Sequence, residues 1–96
     1  MSAEFLLEIK SLAHKNNVPI MQDATSEFIC SFIKSHNVKS VLEIGTAVGY
    51  SAIQFALVDE NIKVTTIEID IDRTIQAIQN VEKCGLKSRI KIINND

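Results

Sequence analysis

Short segments rich in β-branched residues alternate with helical patterns through most of the chain, and no other sequence feature restricts the fold as strongly. Residues 40–44, 62–68 and 89–93 each have the length and composition of a strand, and the first is predicted to be buried. Between them, over residues 50–58 and 71–83, apolar residues recur with helical spacing. Strands joined by helices of this length pair in parallel through right-handed crossovers. The sequence therefore predicts an α/β fold with a three-stranded parallel sheet, as in the first half of a doubly wound domain.

Two further helices are predicted before the first strand. Their apolar positions follow helical spacing over residues 3–15 and 24–36, and Asp23 is the predicted N-cap of the second helix. The residue before Pro19 avoids the helical region, so residues 18–21 should be extended between the two helices.

This order of elements predicts two parts, a helical segment over residues 1–37 and a sheet-forming domain over residues 38–96. Helical spacing also predicts which apolar side chains are buried. For the helix after Asp23 and for the last helix, these are Phe28, Ile29, Phe32 and Ile33, and Ile71, Ile75, Ile78 and Val81.

Composition excludes several functional classes. Ten Lys and Arg residues against 12 Asp and Glu residues give a net charge of −2, which argues against a module dedicated to nucleic-acid phosphates. The apolar runs are far shorter than the roughly 20 residues of a membrane span. The N-terminus lacks the basic region of a signal peptide, and the two cysteines have no partners at disulfide or metal spacing. We therefore predict a cytoplasmic protein without membrane association.

The segment from Glu43 to Ser51 joins the first strand to a helix and carries the strongest functional signal. In open α/β sheets, ligands bind outside the carboxyl ends of the strands. Gly45 permits a sharp turn, and Gly49 opens a helix whose first N–H groups have no helical partner. The spacing lacks a third glycine of the dinucleotide fingerprint and the Gly-Lys of a phosphate loop. It predicts a nucleoside-like ligand, although both glycines could instead be structural turn residues.

Acidic residues follow each predicted strand or end it. Glu43 suits a ligand with a cationic amino group, and Glu68 can accept both hydroxyls of a ribose. Asp96 follows the third strand on the same rim. Glu68 could also be a solvated strand-end acid, and Asp96 a frayed terminus. Taken together, the three acids and the glycine turn fit a positively charged adenosine derivative, for which S-adenosylmethionine is the candidate.

At these motifs the sequence resembles a known family. VLEIGTAVGYSA (residues 41–52), VTTIEID (residues 64–70) and the final stretch from Gly85 are similar to class I S-adenosylmethionine-dependent O-methyltransferases. The branch is that of caffeoyl-CoA and catechol O-methyltransferases, which includes bacterial enzymes that methylate a hydroxylated tRNA uridine. The resemblance implies a partial Rossmann-like sheet and the N-terminal half of an enzyme that transfers a methyl group to a hydroxyl. Its substrate would be a small catechol-like molecule or a tRNA uridine.

The resemblance also implies a role for each residue around the cofactor. The Glu-x-Gly turn would line its methionine end, and Ser51 would hydrogen-bond its carboxylate. Glu68 would hold the ribose, Met21 would close the site, and Asp96 would begin the segment that meets the adenine. The implied cofactor-binding residues are Met21, Glu43, Gly45, Thr46, Ala47, Gly49, Ser51, Glu68 and Asp96.

Other features implied by the resemblance have no counterpart in this sequence. Family members are considerably longer, and their divalent metal, such as Mg²⁺, is held by residues of the fourth and fifth strands. No catalytic residue or metal ligand is therefore predicted within these 96 residues. Two alternatives stay open: a non-catalytic truncated fragment that keeps the cofactor-binding fold, and, less favoured, an NAD-binding module.

The same resemblance predicts a partner. In the family the first strand is central and is flanked by the second strand on one side and the fourth on the other. Without a fourth strand, residues 41–44 would form an exposed apolar edge, and such edges pair readily with another chain. We therefore predict self-association or a homo-oligomer through this edge.

Overall fold

The predicted alternation of helices and strands is present in the computed structural model, which describes residues 2–95. Two helices come first, and three strands then alternate with two more helices, so the predicted α/β fold is confirmed. Asp96 lies outside the described residues. The elements are α1 (Ser2–Lys15), α2 (Asp23–Ser35), β1 (Ser40–Ile44), α3 (Tyr50–Ala56), β2 (Lys63–Glu68), α4 (Ile71–Lys83) and β3 (Ile90–Asn94).

The three strands form one parallel sheet in the order β1-β2-β3. Val64 of β2 pairs with Val41 on one side and with Ile90 on the other. Both crossovers run the same way across the sheet, so right-handed connections place α3 and α4 on the same face. Burial follows from this arrangement, because Val64, Thr66 and Glu68 of β2 are buried while Thr65 and Ile67 between them are only half-buried.

The core lies between this covered face and the helices. Helix α3 has the most thoroughly buried side chains, including Ile53, because it contacts the sheet and both N-terminal helices. The core therefore contains residues of both the helical segment and the sheet-forming domain. Its members outside α3 include Ile9, Ala13, Ile33, Ile62, Val64, Val81 and Ile90.

Helix α2 begins differently from its prediction. Its first residue is Asp23 and its N-cap is Gln22, so the prediction that Asp23 caps the helix is wrong. The Gln22 side chain makes no capping hydrogen bond. The Asp23 carboxylate instead accepts a hydrogen bond from Lys10 Nζ at 2.7 Å and so joins α2 to α1. A carboxylate in the first turn is also favoured by the helix dipole.

The predicted buried face of α2 is confirmed for two of its four residues and wrong for the other two. Phe28 is 73% exposed and Phe32 is 48% exposed, whereas Ile33 is buried and Ile29 is half-buried. Buried Ser26 lies on the contact side, where its hydroxyl donates to the Asp23 carbonyl at 3.0 Å. The side of α2 that faces α3 is therefore set by small residues as well as by apolar ones.

The predicted face of α4 is mostly wrong, because only Val81 of its four residues is buried. Thr74 and Ala77 share the buried side with Val81, and the backbone of Ala77 lies close to the glycine turn after β1. Small side chains let the helix approach the sheet. The isoleucines at the other three positions, Ile71, Ile75 and Ile78, are consequently exposed.

Strand β1 is not the buried strand that was predicted. Leu42 is 67% exposed and Ile44 is 76% exposed, because they point to the face of the sheet opposite α3 and α4. Val41 and Glu43 point to the covered face and are half-buried.

Among residues 2–95, the helices are all too short or too polar to cross a membrane.

Candidate ligand site at the carboxyl ends of the strands

The turn after β1 is held in place by the end of β2. The N–H groups of Gly45 and Thr46 donate to the Ile67 carbonyl at 2.8 and 3.2 Å. Gly45 has a φ of +93°, which a side chain strongly disfavours, and no protein atom lies within 4 Å of where its Cβ would be. The glycine is therefore needed for the backbone conformation, and it leaves open space beside the turn.

Glu68 is the acid that fixes this turn to the neighbouring strand. Its side chain is buried, and Oε1 accepts a hydrogen bond from the Ala47 N–H at 2.7 Å. Oε2 accepts another from the Asp70 N–H at 3.0 Å, just before α4. A carboxylate has about four acceptor sites, so Glu68 can still accept ribose hydroxyls while it holds the backbone.

Glu43 lies at the centre of a second hydrogen-bond network. The hydroxyl of Thr66 donates to Oε1 at 2.7 Å, and the hydroxyl of Ser51 donates to Oε2. Thr66 is in turn hydrogen-bonded to the Thr46 hydroxyl at 2.7 Å. Burial raises the pKa of the Glu43 carboxyl, and the hydrogen bonds from Ser51 and Thr66 oppose that rise. The two hydroxyls that contact Glu43 therefore favour a negative charge at this half-buried position next to the glycine turn.

A cavity of about 240 Å³ opens beside these groups. It brings together six of the predicted residues: Met21, Glu43, Gly45, Thr46, Ala47 and Ser51. Gly49 and Glu68 do not line it but border the same turn, where Gly49 is the N-cap of α3 and Glu68 holds Ala47. A larger cleft, of about 510 Å³, lies at the amino ends of β2 and β3 and contains none of the predicted residues.

Two residues of this region, Thr66 and Tyr50, are not among the residues predicted from the sequence. Thr66 is fully buried, and as one of two threonines in a β-branched strand it resembles an ordinary sheet residue. The available signal was register, because Thr66 lies directly opposite Glu43 in the parallel pair. Tyr50 is buried and also lines the cavity. Ile69, between Glu68 and Asp70, adds an exposed apolar side chain at the same rim.

Metal ligands do not gather in the described part of the chain. Among residues 2–95, no group of three or more His, Cys, Asp and Glu side chains is arranged to hold a metal ion. The arrangement at the rim can instead bind a cationic, hydroxyl-bearing organic ligand, because it offers carboxylates and a backbone turn.

Comparisons with known proteins find relatives that share this fold. An O-methyltransferase family model matches residues 1–96. A Staphylococcus aureus crystal structure, assigned as a caffeoyl-CoA O-methyltransferase, shares 37% identity with a TM-score of 0.91, over 95% of this chain and 44% of that one. A protein-L-isoaspartate O-methyltransferase from Pyrobaculum arsenaticum is 30% identical over 97% of this chain and 50% of its own length.

A further crystal structure shows the same fold. The Bacillus cereus O-methyltransferase, in complex with S-adenosylhomocysteine, is 24% identical with a TM-score of 0.83, over 95% of this chain and 43% of that one. The chain thus spans about half the length, or less, of these relatives. The resemblance inferred from the sequence motifs is confirmed: the chain belongs to the O-methyltransferase family.

Proposed function

We propose that this chain is the S-adenosylmethionine-binding N-terminal half of an enzyme that methylates a hydroxyl. The observation that carries the proposal is the half-buried Glu43 carboxylate, which borders the cavity beside the glycine turn. An anionic group there attracts a ligand ammonium and repels phosphate. The B. cereus neighbour, whose complex contains S-adenosylhomocysteine, supports the same class of ligand.

Each described site residue has a distinct part in this proposal. Glu43 binds the ammonium of the methionine end, and Ser51 and the turn backbone face its carboxylate. Glu68 accepts the ribose hydroxyls, and Met21 covers the cavity from the N-terminal side. When bound, S-adenosylmethionine supplies an electrophilic sulfonium methyl group. The chain's own residues hold and orient it, which is the positional contribution to such a transfer.

The substrate is proposed from the family branch, as a small catechol-like molecule or a hydroxylated tRNA uridine. The divalent metal of that branch does not fit residues 2–95, because no suitable ligand cluster is present among them. No step of the proposal therefore uses a metal. We also propose a cytoplasmic location, which the two free cysteines, Cys30 and Cys84, support.

Isothermal titration with two ligands tests the cofactor class. S-adenosylhomocysteine is expected to bind the purified chain, and NAD is expected not to bind, since its pyrophosphate would lie near Glu43 without the usual glycine fingerprint. Binding of NAD but not of S-adenosylhomocysteine would identify the alternative NAD-binding module. The nucleotide sequence downstream of codon 96 then separates the N-terminal half of an enzyme from a non-catalytic fragment.

We further propose that the outer edge of β1 pairs with a second copy of the chain. Backbone groups alternate along a strand, and the Lys39 carbonyl and Gly45 N–H face β2. The N–H and C=O groups of Ser40, Leu42 and Ile44 therefore point away from β2, where the described residues provide no further strand. A two-fold axis would join two such edges as an antiparallel pair.

A further inference from the structure

We infer that Thr66 is a positioning residue, which holds the Glu43 carboxylate in the orientation that receives the ammonium of the cofactor. The inference rests on the proposed function, because it assigns a role within the same site. It concerns a residue that contacts Glu43 and Thr46 but does not line the cavity.

The geometry begins with strand register. Thr66 occupies the central strand directly opposite Glu43, and both side chains point to the covered face of the sheet. Thr66 has no exposed surface. Its hydroxyl lies 2.7 Å from Glu43 Oε1 and 2.7 Å from the Thr46 hydroxyl. Thr66 therefore connects the glycine turn to the acid.

The direction of these hydrogen bonds follows from the chemistry of the groups. An ionised carboxylate only accepts, so the single proton of the Thr66 hydroxyl is donated to Glu43. Thr66 can then only accept from Thr46, whose side chain is itself buried. The relay runs from Thr46 through Thr66 to Oε1, while Ser51 donates to Oε2. Both oxygens of Glu43 are thus fixed by hydroxyls.

Packing alone does not require this hydroxyl. The neighbouring inward position on β2 is Val64, which is also buried, and valine has nearly the shape of threonine. The bonds that the Thr66 side chain makes are to two residues of the proposed site. Valine could fill the position of Thr66, so the presence of a hydroxyl there is explained by the Glu43 carboxylate that it orients.

Loss of the Thr66 hydroxyl should lower the affinity for some ligands of the site and not for others. The ammonium belongs to the amino-acid part of the cofactor, whereas the ribose is assigned to Glu68, which is held by the Ala47 and Asp70 N–H groups and not by Thr66. Removing the hydroxyl should weaken ligands that carry the ammonium. It should not affect 5′-methylthioadenosine, which has the nucleoside and the sulfur but no ammonium.

The test compares Thr66→Val, which removes the hydroxyl at nearly constant volume, with Thr66→Ser, which keeps it. We expect Thr66→Val to weaken S-adenosylhomocysteine binding by about tenfold or more, the usual effect of losing a hydrogen bond to a charged group. Thr66→Ser should stay within about threefold of the unmodified chain. All three proteins should bind 5′-methylthioadenosine equally in the same titration calorimetry.

Each other outcome has a definite meaning. If Thr66→Val binds S-adenosylhomocysteine as the unmodified chain does, or if it loses both ligands equally, Thr66 is not a positioning residue for the ammonium. If the unmodified, folded chain binds neither ligand, the proposed function fails and this inference fails with it. Should Thr66→Val not fold, Thr66→Ala also removes the hydroxyl that donates to Glu43 and should give the same ligand-dependent loss, with Thr66→Ser as its control.

Discussion

At the scale of single residues, the site depends on an acid that is costly to bury. Glu43 lies beneath the turn with a hydroxyl on each carboxylate oxygen, and burial still raises its pKa above the ordinary value of 4.5. Because the pKa of Glu43 is raised in the folded chain, both the stability of the fold and the binding of the ligand should depend on pH. The two dependences should have opposite signs.

Stability should fall as the pH rises from the ordinary Glu43 pKa to its raised value in the folded chain. In that window the unfolded chain has released the proton and the folded chain has kept it, so rising pH favours unfolding. Binding of S-adenosylhomocysteine should instead strengthen as Glu43 ionises. Urea unfolding and calorimetry over the same pH range check both trends, and Glu43→Gln, which does not titrate, is expected to remove both of them.

Gly45 should tolerate no side chain. Gly45→Val would force a branched residue to a φ of +93°, at a cost of about 1–3 kcal/mol, and would place atoms in the space beside the turn. We expect binding of S-adenosylhomocysteine to be lost while the helical circular dichroism is kept. Gly85→Val is the matched control, since Gly85 also has a positive φ and open surroundings but follows α4. Normal binding by Gly45→Val would make the turn purely structural.

At the scale of secondary-structure elements, the Arg89 side chain stabilises the connection between α3 and β2. The Arg89 guanidinium donates from one nitrogen to the carbonyls of Ala56, Asp59 and Ile62, at 2.9, 2.9 and 3.1 Å. These carbonyls lie at the end of α3 and in the turn that follows it, where backbone acceptors have no helical partner.

Arg89→Met keeps the aliphatic stem and removes the guanidinium, so it should lower the free energy of unfolding by about 1.5–3 kcal/mol. Lys91→Met, at an exposed position of β3 two residues further on, serves as the control and should change the free energy of unfolding by less than about 0.5 kcal/mol. Urea denaturation measures both. Equal stabilities of the two variants would show that the three bonds of Arg89 contribute nothing.

The elements were predictable because their signals are local. β-branched runs, glycine positions and helical spacing located every helix and strand to within about two residues, as expected for element boundaries. The packed faces of α2 and α4 were not predictable. In α4 the buried side carries Thr74 and Ala77, and Ala77 packs against Gly49. Such small residues give a weaker hydrophobic signal in the sequence than the isoleucines that remain exposed.

The site shows the same division between local and nonlocal information. The glycine turn and Glu68 follow from sequence because each marks the end of a strand. Thr66 was missed because its importance arises from the pairing of β1 with β2, which places it opposite Glu43. The roles assigned to the individual site residues stay predictions.

At the scale of the whole molecule, residues 2–95 cover the sheet on one face only. Helices α3 and α4 cover the face that carries Val64 and Thr66, and Leu42 and Ile44 of β1 are exposed on the other. Strand β1 also pairs with a single strand among the residues described. An apolar edge strand of this kind favours association with another chain.

Size-exclusion chromatography with light scattering should therefore find the 96-residue chain as a dimer or larger species that dissociates on dilution. Leu42→Lys, which places a charge on the pairing edge, should shift it toward monomer. Thr65→Lys puts the same charge on the same face of the central strand and should leave the association unchanged. A sharp monomer peak for the unmodified chain at all concentrations would refute edge pairing.

The central claim is that the carboxyl ends of β1 and β2 form the cofactor site, and amide NMR during a titration with S-adenosylhomocysteine tests it most directly. We expect saturable shifts concentrated at the turn, at the amides of Gly45, Ala47 and Ser51, and at Glu68 and Ile69 on the neighbouring strand end. Amides at the opposite end of the sheet, such as Lys63, should not move. Saturable shifts confined to residues away from the turn, or no shifts at all, would contradict it.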